Sequence, residues 1–229
     1  MTRILPLSRS IVCRVASGAV MLLLGLTAAQ AETELSFYSG MQAAAPSRVT
    51  GALPGGVGFD EVIGWEGRPF RMPPYYGLRA IWWQSETLGF GAEFTHAKVY
   101  APDEDANAVG FDNLELTDGL NILTANVMRR WPGAWMDGAI TPYIGGGLGL
   151  SIPHVDFETQ GGSKTFGYQV TGPALRFTAG ISYDLSDRFA VFGEYQFTHS
   201  RNRIDLNDGG TLDTDVSTNA LNLGLSLNF

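Results

Sequence analysis

Over residues 221–229 the chain alternates without a break, with Leu221, Leu223, Leu225, Leu227 and Phe229 on one parity and Asn222, Gly224, Ser226 and Asn228 on the other. A period of two predicts a β-strand with one apolar and one polar face. The same rhythm recurs upstream. The apolar parity is carried in turn by Leu35 and Phe37; Tyr76, Leu78 and Trp82; Leu88, Phe90 and Phe94; Leu123 and Val127; Ile144, Leu148 and Leu150; Leu175, Phe177 and Ile181; and Val191, Tyr195 and Phe197. Eight strands of about ten residues are the pattern of a transmembrane β-barrel. The expected fold is all-β: an eight-stranded, antiparallel, up-and-down transmembrane barrel of OmpA-like size, ending on an aromatic residue as bacterial outer-membrane barrels do.

The connections support an orientation. Residues 84–87, 131–139 and 184–188 are short turns, whereas 42–74, 98–115, 152–165 and 200–217 are long, polar and Gly-rich. Short turns belong in the periplasm and long loops outside. Trp82, Trp83, Trp131, Tyr143, Tyr183 and Phe229 then fall at periplasmic strand ends, where an aromatic girdle is expected.

Residues 1–31 have a different character. Arg3, Arg9 and Arg14 precede an apolar run over 19–26 and the small-residue stretch Ala29-Gln30-Ala31. That is the layout of a secretory signal, leaving 32–229 as the barrel. The run is too short for a membrane-spanning helix, which needs roughly 20 residues. Cys13, the single cysteine, falls in the leader, so the exported chain offers no disulfide, thiolate nucleophile or cysteine metal site. With 15 basic and 23 acidic residues, and three of the basic ones in the leader, the surface repels nucleic acid and attracts divalent cations. The predicted location is the outer membrane of a Gram-negative bacterium.

Inward parity places Arg79, Glu93, Asn126, Arg176, Glu194 and Gln196 in the lumen. An eight-stranded barrel is just wide enough to be filled by side chains, so an ion-paired plug is expected and a solute pore is not. A catalytic role for Glu93 or Glu194 is the competing reading.

His96, His154 and His199 fall at the outer ends of the third, fifth and seventh strands, on outward parity. Alternate strands are about 10 Å apart, whereas a shared ion needs each nitrogen within about 2.1 Å, so the three could meet on one metal only if a rim bulge flipped their parity. Separate proton-transfer roles facing the lipid headgroups are the sharper alternative, incidental loop histidines the blander one. His154 and Asp156 form an i, i+2 pair in which a carboxylate could orient an imidazole. Acidic residues gather as Asp103, Glu104, Asp105, Asp112, Glu115 and Asp118, and again as Asp205, Asp208, Asp213 and Asp215. Glu115 and Asp118 are candidate oxygen ligands for a divalent ion. Arg48, Arg68 and Arg71 are candidate contacts for lipid phosphates, against a reading as solvated loop arginines.

The segments YYGLRAIWW (75–83), LGFGAEFTHAKVYA (88–101), LELTDGLNILTANVMRRWP (114–132), TPYIGGGLGLSIPHVD (141–156), GYQVTGPALRFTAGISY (167–183) and VFGEYQFTHSRN (191–202) resemble the rhizobial-type outer-membrane lipid A oxidase family. The resemblance covers most of the chain after the leader and is most specific at the strand-to-loop junctions. It implies O2-dependent oxidation of the proximal glucosamine of lipid A to an aminogluconate unit after loss of the anomeric phosphate. Hydrogen peroxide is the implied coproduct, and a divalent metal ion the implied cofactor. The residues themselves carry no flavin or haem motif. The implied partners are lipid A, or lipopolysaccharide, and outer-membrane lipid, with no nucleic acid and a monomeric barrel. Two other classes fit the barrel: a non-enzymatic OmpA-type surface protein that binds lipopolysaccharide, and a lipid A deacylase with a lipid-facing Ser-His-Glu set. Against the latter, His199 and Ser200 are adjacent in a strand and point to opposite faces.

Overall fold

A computed structural model describes residues 32–229, so the leader assigned to 1–31, with Cys13, lies outside the described residues. The strands are β1 (Glu32–Ala44), β2 (Ser47–Ala52), β3 (Gly58–Ile63), β4 (Tyr76–Trp83), β5 (Leu88–Tyr100), β6 (Phe111–Arg130), β7 (Ile140–Ser151), β8 (His154–Thr159), β9 (Lys164–Tyr168), β10 (Gly172–Asp184), β11 (Phe189–Asp205) and β12 (Thr211–Asn228), with helix α1 at Asp103–Ala108. Eight of them form an antiparallel ring in the order β1-β4-β5-β6-β7-β10-β11-β12, closed by pairing of β12 with β1. These are the eight strands expected from the alternation. Their apolar parity faces outward, Leu223 being 76% exposed. Such a belt calls for hydrocarbon around it, and ring closure leaves no open sheet edge within that hydrocarbon.

Beyond the belt the hydrophobic parity inverts. On β12, Leu221, Leu223 and Leu225 point outward, but Leu212 and Val216 point inward and are buried; on β11, Tyr195 is exposed while Ile204 is buried. The long strands β5, β6, β11 and β12 continue past the membrane, the β2–β3 hairpin pairs with β12, and the β8–β9 hairpin pairs with β6. Inside this extension Phe111 packs edge-on against Phe59 and Phe157 at 5.7 and 5.8 Å, among Val49, Ile63 and Leu116. The expectation of four long polar loops is therefore corrected. Region 98–115 is the end of β5, α1 and the start of β6; 152–165 contains β8; 200–217 leaves only 206–210 outside strands; and 42–74 contains β2 and β3. Water surrounds this part, so its apolar residues turn inward, the reverse of the rule within lipid.

The aromatic girdle is also corrected in part. Trp82, Tyr183 and Phe229 face outward, but Trp83 and Tyr143 are one residue out of phase and buried inside. Trp83 Nε1 donates to Glu34 at 2.9 Å beneath the Arg130 guanidinium, and the Tyr143 hydroxyl donates to Glu194 at 2.7 Å.

The lumen at mid-height is filled by charge. Arg79 pairs with Glu93 at 3.0 Å and with Glu194 at 2.6 Å, while Arg176 pairs with Glu93 at 2.8 Å. Asn126, Gln196 and the Tyr38 hydroxyl also donate to Glu93. Gly77 makes room for Tyr38, because a Cβ there would lie 2.0 Å from the tyrosine ring. Below this plug a cavity of about 470 Å³, bordered by Glu34, Arg130 and Asp184, opens at the periplasmic end.

Candidate functional site on the outer face of the rim

Along β5 the outward parity runs through Phe90 and Phe94 to His96, Lys98 and Tyr100. These last three stand on the outside of the wall yet are only 5%, 0% and 1% exposed. The chain between β3 and β4 runs alongside them, where Glu66 and Tyr100 exchange backbone hydrogen bonds of 2.8 and 3.0 Å. The Arg68 and Arg71 guanidinium groups lie 4.9 and 5.0 Å from the Tyr100 ring centroid, and Lys98 Nζ lies 5.4 Å from it. His96 stacks on Tyr76 at 5.2 Å and shares a hydrogen bond of 3.0 Å with Asn121.

A bulge shapes this face. Ala97 pairs with Leu120 and Val99 with Leu116, so residues 117–119 of β6 stand opposite Lys98 alone. Gly119 has φ +100, and a Cβ there would lie 2.2 Å from His96 Nδ1, so glycine is required on both counts. Above the bulge the registers align Phe166, Asp156, Glu115 and Tyr100 in one row across β9, β8, β6 and β5. His154 meets Phe166 and Tyr168 edge-on at 4.5 and 4.8 Å. Asp156 pairs with Lys164 at 3.2 Å, and Glu115 with Arg71 at 4.0 Å. Burial raises the Glu115 pKa above its ordinary value; Arg71 opposes the rise and Asp156 adds to it.

Of the residues expected at a site, His96, His154, Asp156, Glu115, Arg68 and Arg71 meet on this face. His154 begins a strand instead of a loop, and the Asp156 carboxylate is taken up by Lys164. Asp118 lies in the bulge, with its side chain outside the described residues. Arg48 stands apart on the exposed β2–β3 hairpin in a two-pronged bond to Asp60 at 2.5 and 2.9 Å. His199 is on β11, four ring positions from β5 and so on the opposite wall, sharing a 2.9 Å hydrogen bond with Ser217 Oγ. The three histidines are thus not brought together, and among the described residues no group of three or more His, Asp or Glu could hold a metal. Arg79, Glu93, Arg176 and Glu194 are lumen residues, remote from this outer face. Sequence reasoning passed over Tyr76, Lys98 and Tyr100. The signal was present for two of them, since Lys98 and Tyr100 share the parity of His96.

No protein-family model and no curated protein matches the chain. Solved structures with a similar fold include Neisserial surface protein A, at 16% identity and TM-score 0.47 over 86% of this chain and 97% of that one. The attachment invasion locus protein Ail of Yersinia pestis, in complex with the heparin analogue sucrose octasulfate, matches at 13% identity and TM-score 0.41 over 87% of this chain and 99% of that one. The N-terminal β-barrel domain of Pseudomonas aeruginosa OprF matches at 12% identity and TM-score 0.40 over 87% and 100%. At these identities the likeness concerns the fold alone. On its closed ring, lipid-facing belt and short periplasmic turns, the chain is an outer-membrane β-barrel protein.

Proposed function

We propose that this protein oxidises the proximal glucosamine of lipid A, after its anomeric phosphate is gone, to an aminogluconate unit. The observation that carries the reading is the burial of Lys98, Tyr100, His96 and His154 on the outside of the wall, beside Glu115 and Asp156. One face of the wall thus gathers an ammonium, a phenol and two imidazoles beside two carboxylates, the residue types that proton transfer and the stabilisation of a developing negative charge require.

Loss of the phosphate leaves a hemiacetal at C1. O2 takes two electrons and two protons from the C1–H and C1–OH bonds, giving the lactone and hydrogen peroxide, and water then opens the lactone to the acid. His154 is suited to take the hydroxyl proton, and the Lys98 cation, buried beneath the face, to stabilise through the low-dielectric wall the negative charge that develops on reduced oxygen. Arg68 and Arg71 are suited to the sugar's anionic groups. The described donors do not form the divalent-metal site that the family resemblance implies, and no step is routed through a metal.

The test is to express the chain in cells whose lipid A lacks the anomeric phosphate and to take mass spectra of the lipid. The wild type should add one oxygen atom, and His154→Ala and Lys98→Ala should abolish the gain. Unchanged lipid under aerobic, metal-replete conditions would sink the proposal.

One observation favours a hydrolase as the second reading. His199 and Ser217 form a base-and-nucleophile pair at 2.9 Å on the outer wall of β11 and β12, as a lipid A deacylase would need. Loss of an acyl chain in the same spectra, abolished by Ser217→Ala, would identify it. A barrel that only binds lipopolysaccharide would leave the spectra unchanged.

A further inference from the structure

Two exposed apolar flanks bracket the rim face. On one side β9 holds out Phe166 and Tyr168, the latter 64% exposed, followed by Val170. On the other, Phe70 and Met72, the latter 79% exposed, alternate with the arginines that cover Tyr100. Neither flank belongs to the transmembrane belt, and apolar patches in such a position mark binding surfaces.

The β9 flank is nevertheless continuous with the belt. Outward parity on β7 passes through the exposed Leu148 and Leu150 and reaches His154 four residues later, about 13 Å along an extended chain. Cations frame the polar strip between the flanks, with Arg68 and Arg71 on one side and Lys164 on the other. Arg71 reaches Glu115 at 4.0 Å and is half exposed. The free edge of β9 is poorly suited to accept another strand, because β9 spans 5 residues and contains Gly167 at φ +142.

We propose that these flanks grip an acylated, anionic amphiphile drawn sideways from the outer leaflet. Its acyl chains lie over Leu148, Leu150 and Val170, its headgroup between Tyr168 and Phe70, and one anionic group meets Arg71. The proposal rests on the rim face being the working site, and adds that the substrate arrives still acylated, in the membrane plane, and not as a free sugar from the medium.

Native mass spectrometry of the full barrel with monophosphoryl lipid A, or with its fully deacylated sugar phosphate, tests this. The wild type should retain the acylated probe and not the sugar. F166S/Y168S/V170S and F70S/M72S should each lower retention about tenfold, a loss of about 1.4 kcal/mol. V57S/V62S, which alters equally exposed valines at the β2–β3 hairpin, should leave it unchanged. Slow gel migration of unheated samples would expose a misfolded variant, for which Tyr168→Ser alone on the β9 flank, or Met72→Ser alone on the other, is the substitute. Equal retention by the flank variants, equal loss in V57S/V62S, retention of the free sugar, or conversion of a dimer to a monomer with retention intact would each overturn the proposal. Retention that depends on the flanks, without oxygen gain, would remove the oxidase reading and leave the docking surface standing; oxygen gain indifferent to the flanks would do the reverse.

Discussion

Glu115 and Asp156 stand directly opposite each other on the β6–β8 ladder, two carboxylates on adjacent strands of the rim's outer face. Like charges in that relation are destabilising. Burial raises the Glu115 pKa, so the folded protein holds that proton more tightly than the unfolded chain. The stability contributed by the group is full below the ordinary carboxylate range and is lost as pH rises through the raised pKa. Glu115→Gln should therefore stabilise the rim at neutral pH by about 0.2–1 kcal/mol, with little effect at acid pH. Hydrogen exchange of the β6 and β8 amides reads this directly. Faster exchange in the variant at neutral pH would mean that the pairing with Arg71 outweighs the repulsion.

Arg79 spans the lumen from β4 to reach carboxylates on β5 and β11, at 3.0 and 2.6 Å. Arg79→Met leaves Glu194 buried beside neutral partners only. Breaking such a pair costs about 3–5 kcal/mol, and urea unfolding in lipid vesicles should show a loss of that order. Arg79→Lys keeps the charge but not the fork and should fall between. A wild-type stability in the methionine variant would refute the account of the plug.

The inversion of parity predicts that two leucines of one strand behave oppositely. Leu212 is wholly buried in the extramembrane cap, whereas Leu223 faces lipid. Leu212→Ala should cost about 2–5 kcal/mol as a cavity substitution, felt as protease sensitivity of the β2–β3 and β8–β9 hairpins while the barrel stays closed. Leu223→Ala exchanges a lipid contact for another lipid contact and should leave those hairpins resistant.

That inversion also explains what was legible in the sequence. The belt strands announce themselves because one parity is uniformly apolar, as over 221–229. The cap does not, since Leu212 and Val216 carry its pattern on the other parity, interleaved with Asp213 and Asp215 in a region that reads as a polar loop. Trp83 and Tyr143 lie near strand ends, as girdle residues do, but their parity points inward. At the site, His96, His154, Asp156 and Glu115 could be read as rim residues. Their convergence could not, because it depends on the β3–β4 connection pairing with β5 at the Glu66–Tyr100 bridge and on the β8–β9 hairpin pairing with β6. Arg48 looked equivalent to Arg68 and Arg71 until the β2–β3 hairpin paired it with Asp60.

Tyr100 provides the platform on which both arginines rest, their guanidinium carbons 4.9 and 5.0 Å from its ring centroid. A cation over an aromatic face contributes about 0.5–1 kcal/mol at an exposed site. Tyr100→Leu removes both contacts and frees two long side chains whose ordering then falls on the ligand. Retention of monophosphoryl lipid A should drop about threefold to tenfold, the scale set by one or two such contacts. Tyr100→Phe keeps the ring and should retain the lipid like the wild type. If Tyr100→Phe loses as much lipid as Tyr100→Leu, the hydroxyl and not the ring is what organises the arginines, and the platform account fails.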